Sequence, residues 1–437
     1  MATDVDSELP LLVNYQNERL CLNDRARDVH ILSCAFLLIF LAYGAAQNLE
    51  STINTEEDLG TTSLGVLYLS FTVFSLVASV VVKKLGSKNA LILGTTGYWL
   101  FIAANLKPTW YTMIPASLYL GFAAAIIWVA QGTYLTSIAQ GHANDLSLHV
   151  GTVIGKFNGE FWGVFASNQV VGNLITLALL RTAMGGGDTR GTTILFIVFL
   201  CSMSLGTVLM CFLSRGSATE EASLEDSSVG FFKSIAYSSK SIANLLLDIR
   251  MVLVIPLITY SGLQQAFVWA EFTKYIVQPK MGESGVGGAM AIYGLFDAIC
   301  SVAAGHLTFG LKSITIIVCG GGIIQGFVLL WVLLKHSVDF GIVGVLVIAA
   351  LWGIGDGVLN TQLSAFLGIL YNHDLEGAFS HLKLWQSFAV AVVFFLSPLI
   401  SLQLMLVIML ASLCISVSAF LLLTLKVEQA FSTPPPP

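Results

Sequence analysis

Ala124-Ala125-Ile126-Ile127-Trp128-Val129-Ala130-Gln131-Gly132 and Ala349-Ala350-Leu351-Trp352-Gly353-Ile354-Gly355-Asp356-Gly357 stand 225 residues apart and align without a gap. Three of the nine positions are identical, most of the rest match in size, and Thr136 then meets Thr361. The same shift pairs Tyr68 with Tyr293, Phe71 with Phe296, Val77 with Val302 and Ala78 with Ala303. It also lays Leu174-Ile175 over Leu399-Ile400. Apolar stretches match one another by composition, so any one of these pairings means little. A single shift that serves three regions in the correct order implies a duplicated unit in one orientation.

The surroundings of these stretches say what is duplicated. Of 437 residues, 56% are apolar and 11% are charged, where a soluble domain carries about 25% charged residues. With a mean hydropathy of +0.82, the excess apolar surface has to be met by lipid. A soluble enzyme is thereby excluded, and a formal net charge of −6 excludes a polybasic nucleic-acid binder. A helix needs about 20 mostly apolar residues to cross the hydrocarbon. Twelve segments qualify, near 31–48, 62–82, 89–106, 111–138, 155–180, 192–214, 250–273, 286–308, 313–335, 340–370, 379–399 and 402–425. The predicted fold class is an all-α integral membrane protein with twelve transmembrane helices in two parallel six-helix repeats, the major facilitator fold. By analogy with that fold, spans three, six, nine and twelve are expected at the periphery.

Basic residues set the orientation. Cytoplasmic termini put 14 Lys/Arg inside, among them Arg19, Arg25, Arg27, Lys83, Lys84 and Lys88, and six outside. The expected organisation is a cytoplasmic tail over 1–30, a six-helix bundle over 31–214, a central cytoplasmic loop over 215–249, a second bundle over 250–425 and a tail over 426–437. The first 29 residues have no apolar h-region, so the first span is expected to serve as the insertion signal. Glu8 to Leu12 has an acidic dileucine form, read chiefly as a solvated tail, and Pro434 to Pro437 would form a short polyproline end. No Asn-x-Ser/Thr sequon occurs. The seven cysteines are scattered singly, without metal-ligand spacing, and no cofactor is called for.

Charges inside spans are costly, about 2.5 to 3.5 kcal/mol each at the bilayer centre, so each needs a partner or a function. Asp356 and Asn360 are i, i+4 on span ten among Gly353, Gly355 and Gly357, which permit close helix approach or a bend. Lys383 and Gln386 are i, i+3 on span eleven, at a depth that suggests an Asp356–Lys383 ion pair. In the first half Gln131 stands in place of Asp356, and Lys156 and Glu160 form an i, i+4 pair on span five. Asp297, near the middle of span eight, reads equally as a structural carboxyl and as a coupling-ion or proton site. Gln264, Gln265 and Glu271, with Gln47, Asn48 and Glu50, would make a polar extracellular mouth. The candidate cavity or coupling residues are Gln131, Glu160, Asp297, Asp356, Asn360, Lys383 and Gln386, with no catalytic or metal-ligating set. No P-loop, His-Glu-x-x-His or Gly-x-Ser-x-Gly occurs, so a nucleotide-driven pump or membrane hydrolase has no support. The loop between spans two and three, Lys83-Lys84-Leu85-Gly86-Ser87-Lys88, keeps only Gly86 and Lys88 of the acidic and arginine-rich motif that many facilitators carry there.

The stretch Gly121 to Thr136 resembles the span-four signature of the Unc-ninety-three-like family, a branch of the major facilitator superfamily. Gly353-Ile354-Gly355-Asp356-Gly357, Asn360-Thr361-Gln362-Leu363 and Leu367-Gly368-Ile369-Leu370-Tyr371 resemble it on span ten, and Tyr260-Ser261-Gly262-Leu263 more weakly on span seven. The resemblance covers roughly 31–425. It implies a regulatory partner of an ion channel, chiefly a potassium channel, or an escort of other membrane proteins. It carries over no catalytic or substrate residues. Three functions follow as expectations: a channel regulator in ion homeostasis, a proton- or cation-coupled secondary transporter of a small solute, and a trafficking escort. The expected partners are the lipid bilayer, a channel subunit and a small solute or ion, in the plasma membrane or an endomembrane.

Overall fold

The computed structural model describes residues 25–47, 59–184, 190–214, 244–334, 341–397 and 399–427. The dileucine-like tail, Cys21, Asn48, Glu50, most of the central loop and the proline end lie outside them.

The described residues are almost wholly helical. We label the long helices α1 (Arg25–Gln47), α2 (Leu59–Leu85), α3 (Ser87–Ala104), α4 (Trp110–Asp145), α5 (Val150–Met184) and α6 (Arg190–Cys211). The series continues with α7 (Ile249–Phe267), α8 (Gln278–His306), α9 (Leu311–Leu334), α10 (Ile342–Leu370), α11 (Leu375–Leu396) and α12 (Leu402–Leu422). Ten of them are long and apolar enough to cross a membrane. The other two are α3, with Ser87, Lys88 and Asn89 in its first turn, and α5, with Lys156, Asn158 and Glu160. Several elements run beyond their predicted spans. At about 1.5 Å per residue the 36-residue α4 is about 54 Å long, well over the hydrocarbon thickness. Helix α5 begins at Val150 rather than at 155, and α7 continues through a π-helical stretch, Val268–Val277, into α8, which is kinked at Gly282 (φ 70°). Period-3.6 patterning cannot show a π register, so the sequence does not reveal this continuation.

Side-chain caps fix several helix starts. Thr109 and Thr112 form a reciprocal capping box before α4, and Asp248, Asp374 and Ser401 accept the first free N–H groups of α7, α11 and α12.

Helix pairings repeat in the two halves. In the first, α2 packs on α4, α3 on α4 and α3 on α6; in the second, α8 packs on α10, α9 on α10 and α9 on α12. The halves meet along α2 with α11 and α5 with α8. On one face of the bundle this junction is tight. A Cβ on Gly159 would lie 2.7 Å from the Gly305 Cα, so the α5 and α8 backbones touch there. On the same face Lys83 Nζ, at the end of α2, donates to Asp374 Oδ1 at 2.7 Å and lies 3.8 Å from Glu376, at the start of α11. Arg25 with Asp145 (3.1 Å) and Lys88 Nζ with the Leu213 carbonyl (2.5 Å) tie further helix ends together. The loop between α2 and α3 is thus structurally occupied: Gly86, at φ 74°, turns the chain, and Lys83 and Lys88 reach neighbouring helices.

Candidate functional site

Between the halves lies an open chamber with a cavity volume of about 130 Å³. Its walls come from α1, α2, α4 and α5 on one side and from α7, α8, α10 and α11 on the other, with the π stretch adding Trp269 and α3 adding Tyr98. Helices α6, α9 and α12 supply none of its wall. The closed face seals one end, because the chamber takes residues 162–169 of α5 and 293–297 of α8, beyond the Gly159–Gly305 contact.

The two walls differ in chemistry. Trp128 and Trp162 stack face to face, with ring centres 5.8 Å apart and an 8° tilt, and Phe165 packs edge-on against both. Trp128 Nε1 donates to Tyr98 Oη at 3.1 Å, which fixes the ring's orientation. On the opposite wall the Asp356 carboxylate receives Tyr293 Oη, Asn360 Nδ2 at 3.0 Å and Gln265 Nε2 at 3.4 Å, and Gln265 also donates to Asn360 Oδ1 at 3.1 Å. Glycines make this network sterically feasible. A Cβ on Gly353 would collide with the Tyr293 carbonyl, and one on Gly357 would lie 2.6 Å from the Asp297 carbonyl, so α8 can bring Tyr293 and Asp297 to Asp356 only because α10 is bare there.

Asp297, Asp356, Asn360, Lys383 and Gln386 all line the chamber. The expected Asp356–Lys383 ion pair is absent. Lys383 Nζ instead donates to Gln386 Oε1 at 2.8 Å and sits 4.5 Å from the Trp128 ring centre, while Gln386 passes the link to Ser261 at 3.2 Å. Three donors already satisfy Asp356, and the indole face competes for the ammonium.

Two candidates lie elsewhere. Gln131 is buried off the chamber wall with its Nε2 lacking a partner, and Glu160 pairs across to His30 on α1 rather than within α5. The polar mouth is only partly formed. Gln47 and Gln265 line the chamber, but Gln264 turns away to accept from Gln325 Nε2 at 2.8 Å, and Glu271 is 1% exposed with neither oxygen bonded. Tyr293, Trp128 and Trp162 escaped the sequence reading as site residues; the Tyr68–Tyr293 match was the available signal for the first. Among the described residues no group of three or more His, Cys, Asp or Glu is placed to hold a metal ion, and the six described cysteines are free.

An inter-half chamber in a bundle of this pairing is the arrangement of the major facilitator transporters, and solved structures share the fold. The proton:xylose symporter XylE aligns over 93% of this chain and 96% of its own, with a TM-score of 0.67 at 13% identity. The Escherichia coli fucose:proton symporter FucP aligns over 92% and 99%, with a TM-score of 0.67 at 12% identity.

Within that fold the chain belongs to the UNC-93 family. The family model described as "Ion channel regulatory protein UNC-93" matches residues 51–338 and 332–421. UNC93-like protein 3 of Arabidopsis thaliana is 60% identical over 93% of this chain and 88% of its own length, and human protein unc-93 homolog A is 30% identical over 90% and 92%. The Caenorhabditis elegans protein unc-93, named as a proposed potassium channel regulatory protein, is 30% identical over 90% of this chain and 60% of its own.

Proposed function

We propose that this protein is a regulatory partner of an ion channel, a potassium channel in the first instance, and acts through it on ion homeostasis. The family match over nearly the whole helical region carries this reading. Proximity labelling in native cells with the full chain tests it. Enrichment of a channel subunit over a control membrane protein of similar size is expected, and its absence would sink the proposal. The reading includes twelve membrane spans in two parallel six-helix repeats, bounded at 31–214 and 250–425, with both termini in the cytoplasm of a plasma-membrane or endomembrane protein. The recurrent helix pairings and the 225-residue offset support the repeats. Tags at either end that become accessible to antibody in unpermeabilised cells would overturn the orientation for a surface-resident protein.

A second reading has one observation in its favour. The chamber holds two carboxylates and an ammonium, as a proton- or cation-coupled transporter of a small solute would. Solute uptake by reconstituted vesicles under an imposed gradient, lost on Asp356→Asn, would establish transport; wild-type protein that moves nothing argues against it.

A further inference from the structure

Lys383 and Asp297 line one chamber, yet neither forms a salt bridge among the described residues. The Lys383 ammonium has one oxygen acceptor, on Gln386, and rests otherwise on the Trp128 and Trp162 rings at 4.5 and 5.7 Å. Asp297 accepts a single donor, Ser301 Oγ at 3.1 Å, for its two oxygens. Asp356 beside it accepts three. The acid with capacity to spare is therefore Asp297, and the cation with capacity to spare is Lys383. A buried ion without a counter-ion is costly, and a partner that supplies the missing charge offsets that cost. Here an acid and an amine are held apart on α8 and α11 of one wall, with an aromatic slab opposite and apolar residues such as Leu67, Phe71 and Val390 in the same lining.

We propose that the chamber binds a small zwitterion with an apolar body, of the amino-acid type. Its anionic group meets Lys383, its ammonium meets Asp297, and its apolar part lies against Trp128 and Trp162. A singly charged ligand would match one pole and leave the other bare. A neutral polyol could use the amides Gln47, Asn168 and Gln169 but would match neither. This inference goes beyond the channel-partner reading and does not rest on it, so its failure leaves that reading standing.

Three ligands with one phenyl body and different charges test the inference: phenylalanine, phenethylamine and 3-phenylpropionate, with glucose as the neutral polyol. Binding to the purified full chain is read by tryptophan fluorescence and thermal shift. Saturable phenylalanine binding is expected, with each singly charged analogue weaker by about tenfold or more. This comparison needs no variant. In the second arm, Asp297→Asn should weaken phenylalanine by about tenfold while leaving 3-phenylpropionate within about twofold. Lys383→Met should do the reverse, sparing phenethylamine, and Lys383→Arg should restore phenylalanine. Three results on the wild type each overturn the inference: no phenylalanine binding, an analogue that binds as well as phenylalanine, or displacement of phenylalanine by glucose. Phenylalanine affinity unchanged in both charge variants overturns it as well.

Discussion

Helices α4 and α10 occupy matching places in the two halves and present opposite chemistry to the chamber. Where α4 has Trp128, α10 has Gly353; where α4 has Gln131, α10 has Asp356. Their neighbours diverge in the same way. Tyr68 Oη accepts from Gln47 Nε2 at 3.0 Å and its ring stacks on Phe394, whereas Tyr293 Oη donates to Asp356. One half has filled the position with a ring. The other has emptied it so that a tyrosine from α8 can reach a carboxylate. The helix pairings match in the two halves while the walls differ, one aromatic and the other ionisable.

The sharpest way to break this comparison is to refill the empty position. Gly353→Ala sets a Cβ against the Tyr293 carbonyl, a backbone atom that cannot swing away. We expect a loss of about 3 kcal/mol, at the upper end of overpacking costs, read as a clear fall in melting temperature of the detergent-purified protein. Gly320 has nothing within 4 Å of a built Cβ, so Gly320→Ala should leave the melting temperature unchanged or raise it slightly. Equal falls in both would mean that glycine content, not the α8–α10 contact, sets stability.

A second test exchanges polar for apolar at the matched pair. Asp356→Leu strips the acceptor from Tyr293, Asn360 and Gln265 together and should cost roughly 2 to 3 kcal/mol. Gln131→Leu removes a buried amide whose Nε2 already lacks a partner, and should cost under about 1 kcal/mol. Equal costs would show that the two positions are alike after all.

These contrasts were unevenly legible in the sequence. Period and length place the helices, and the 225-residue shift finds the α4/α10 and α2/α8 matches because lipid-facing and core-facing apolar residues both obey simple spacing. The glycines around Asp356 pointed to close approach, and they do admit α8. Which polar residues share a cavity was not legible. Depth along a helix can be counted, but rotation about its axis depends on neighbours. Gln131 sits at a plausible depth and yet faces away from the chamber, and Glu160 lies beside the Gly159–Gly305 contact that closes it. The Lys383–Asp356 pairing failed for a related reason: matched depth says nothing of the indole face that stands closer to the ammonium.

The third prediction uses that failure. If Asp356 and Lys383 do not form a pair, Asp356→Asn and Lys383→Met should combine additively in melting free energy, within about 0.5 kcal/mol. Lys383→Met alone should cost about 1 kcal/mol, the order of a partly desolvated cation–π contact, and should alter the fluorescence of the stacked indoles. A coupling well above that margin would restore the ion pair.

The smallest effect concerns the two junctions between the halves. By the 225-residue shift Lys83 corresponds to Thr308, yet the junctions they serve are built differently. Thr308 lies where α5 and α8 touch through Gly155, Gly159 and Gly305, a seam of backbone contact with no charged pair among the described residues. Lys83 lies where α2 meets α11 through Asp374 and Glu376, with its side chain 40% exposed. An ion pair that open to solvent contributes little, because water and salt screen it. Lys83→Ala is therefore expected to lower stability by less than about 1 kcal/mol, and by still less at high ionic strength. Gly159→Val, which forces two backbones apart, should cost several times more and show no salt dependence. Melting curves of the two variants at low and high salt check the contrast. A large, salt-insensitive loss for Lys83→Ala would mean that the lysine's aliphatic stem, rather than its charge, holds α2 to α11.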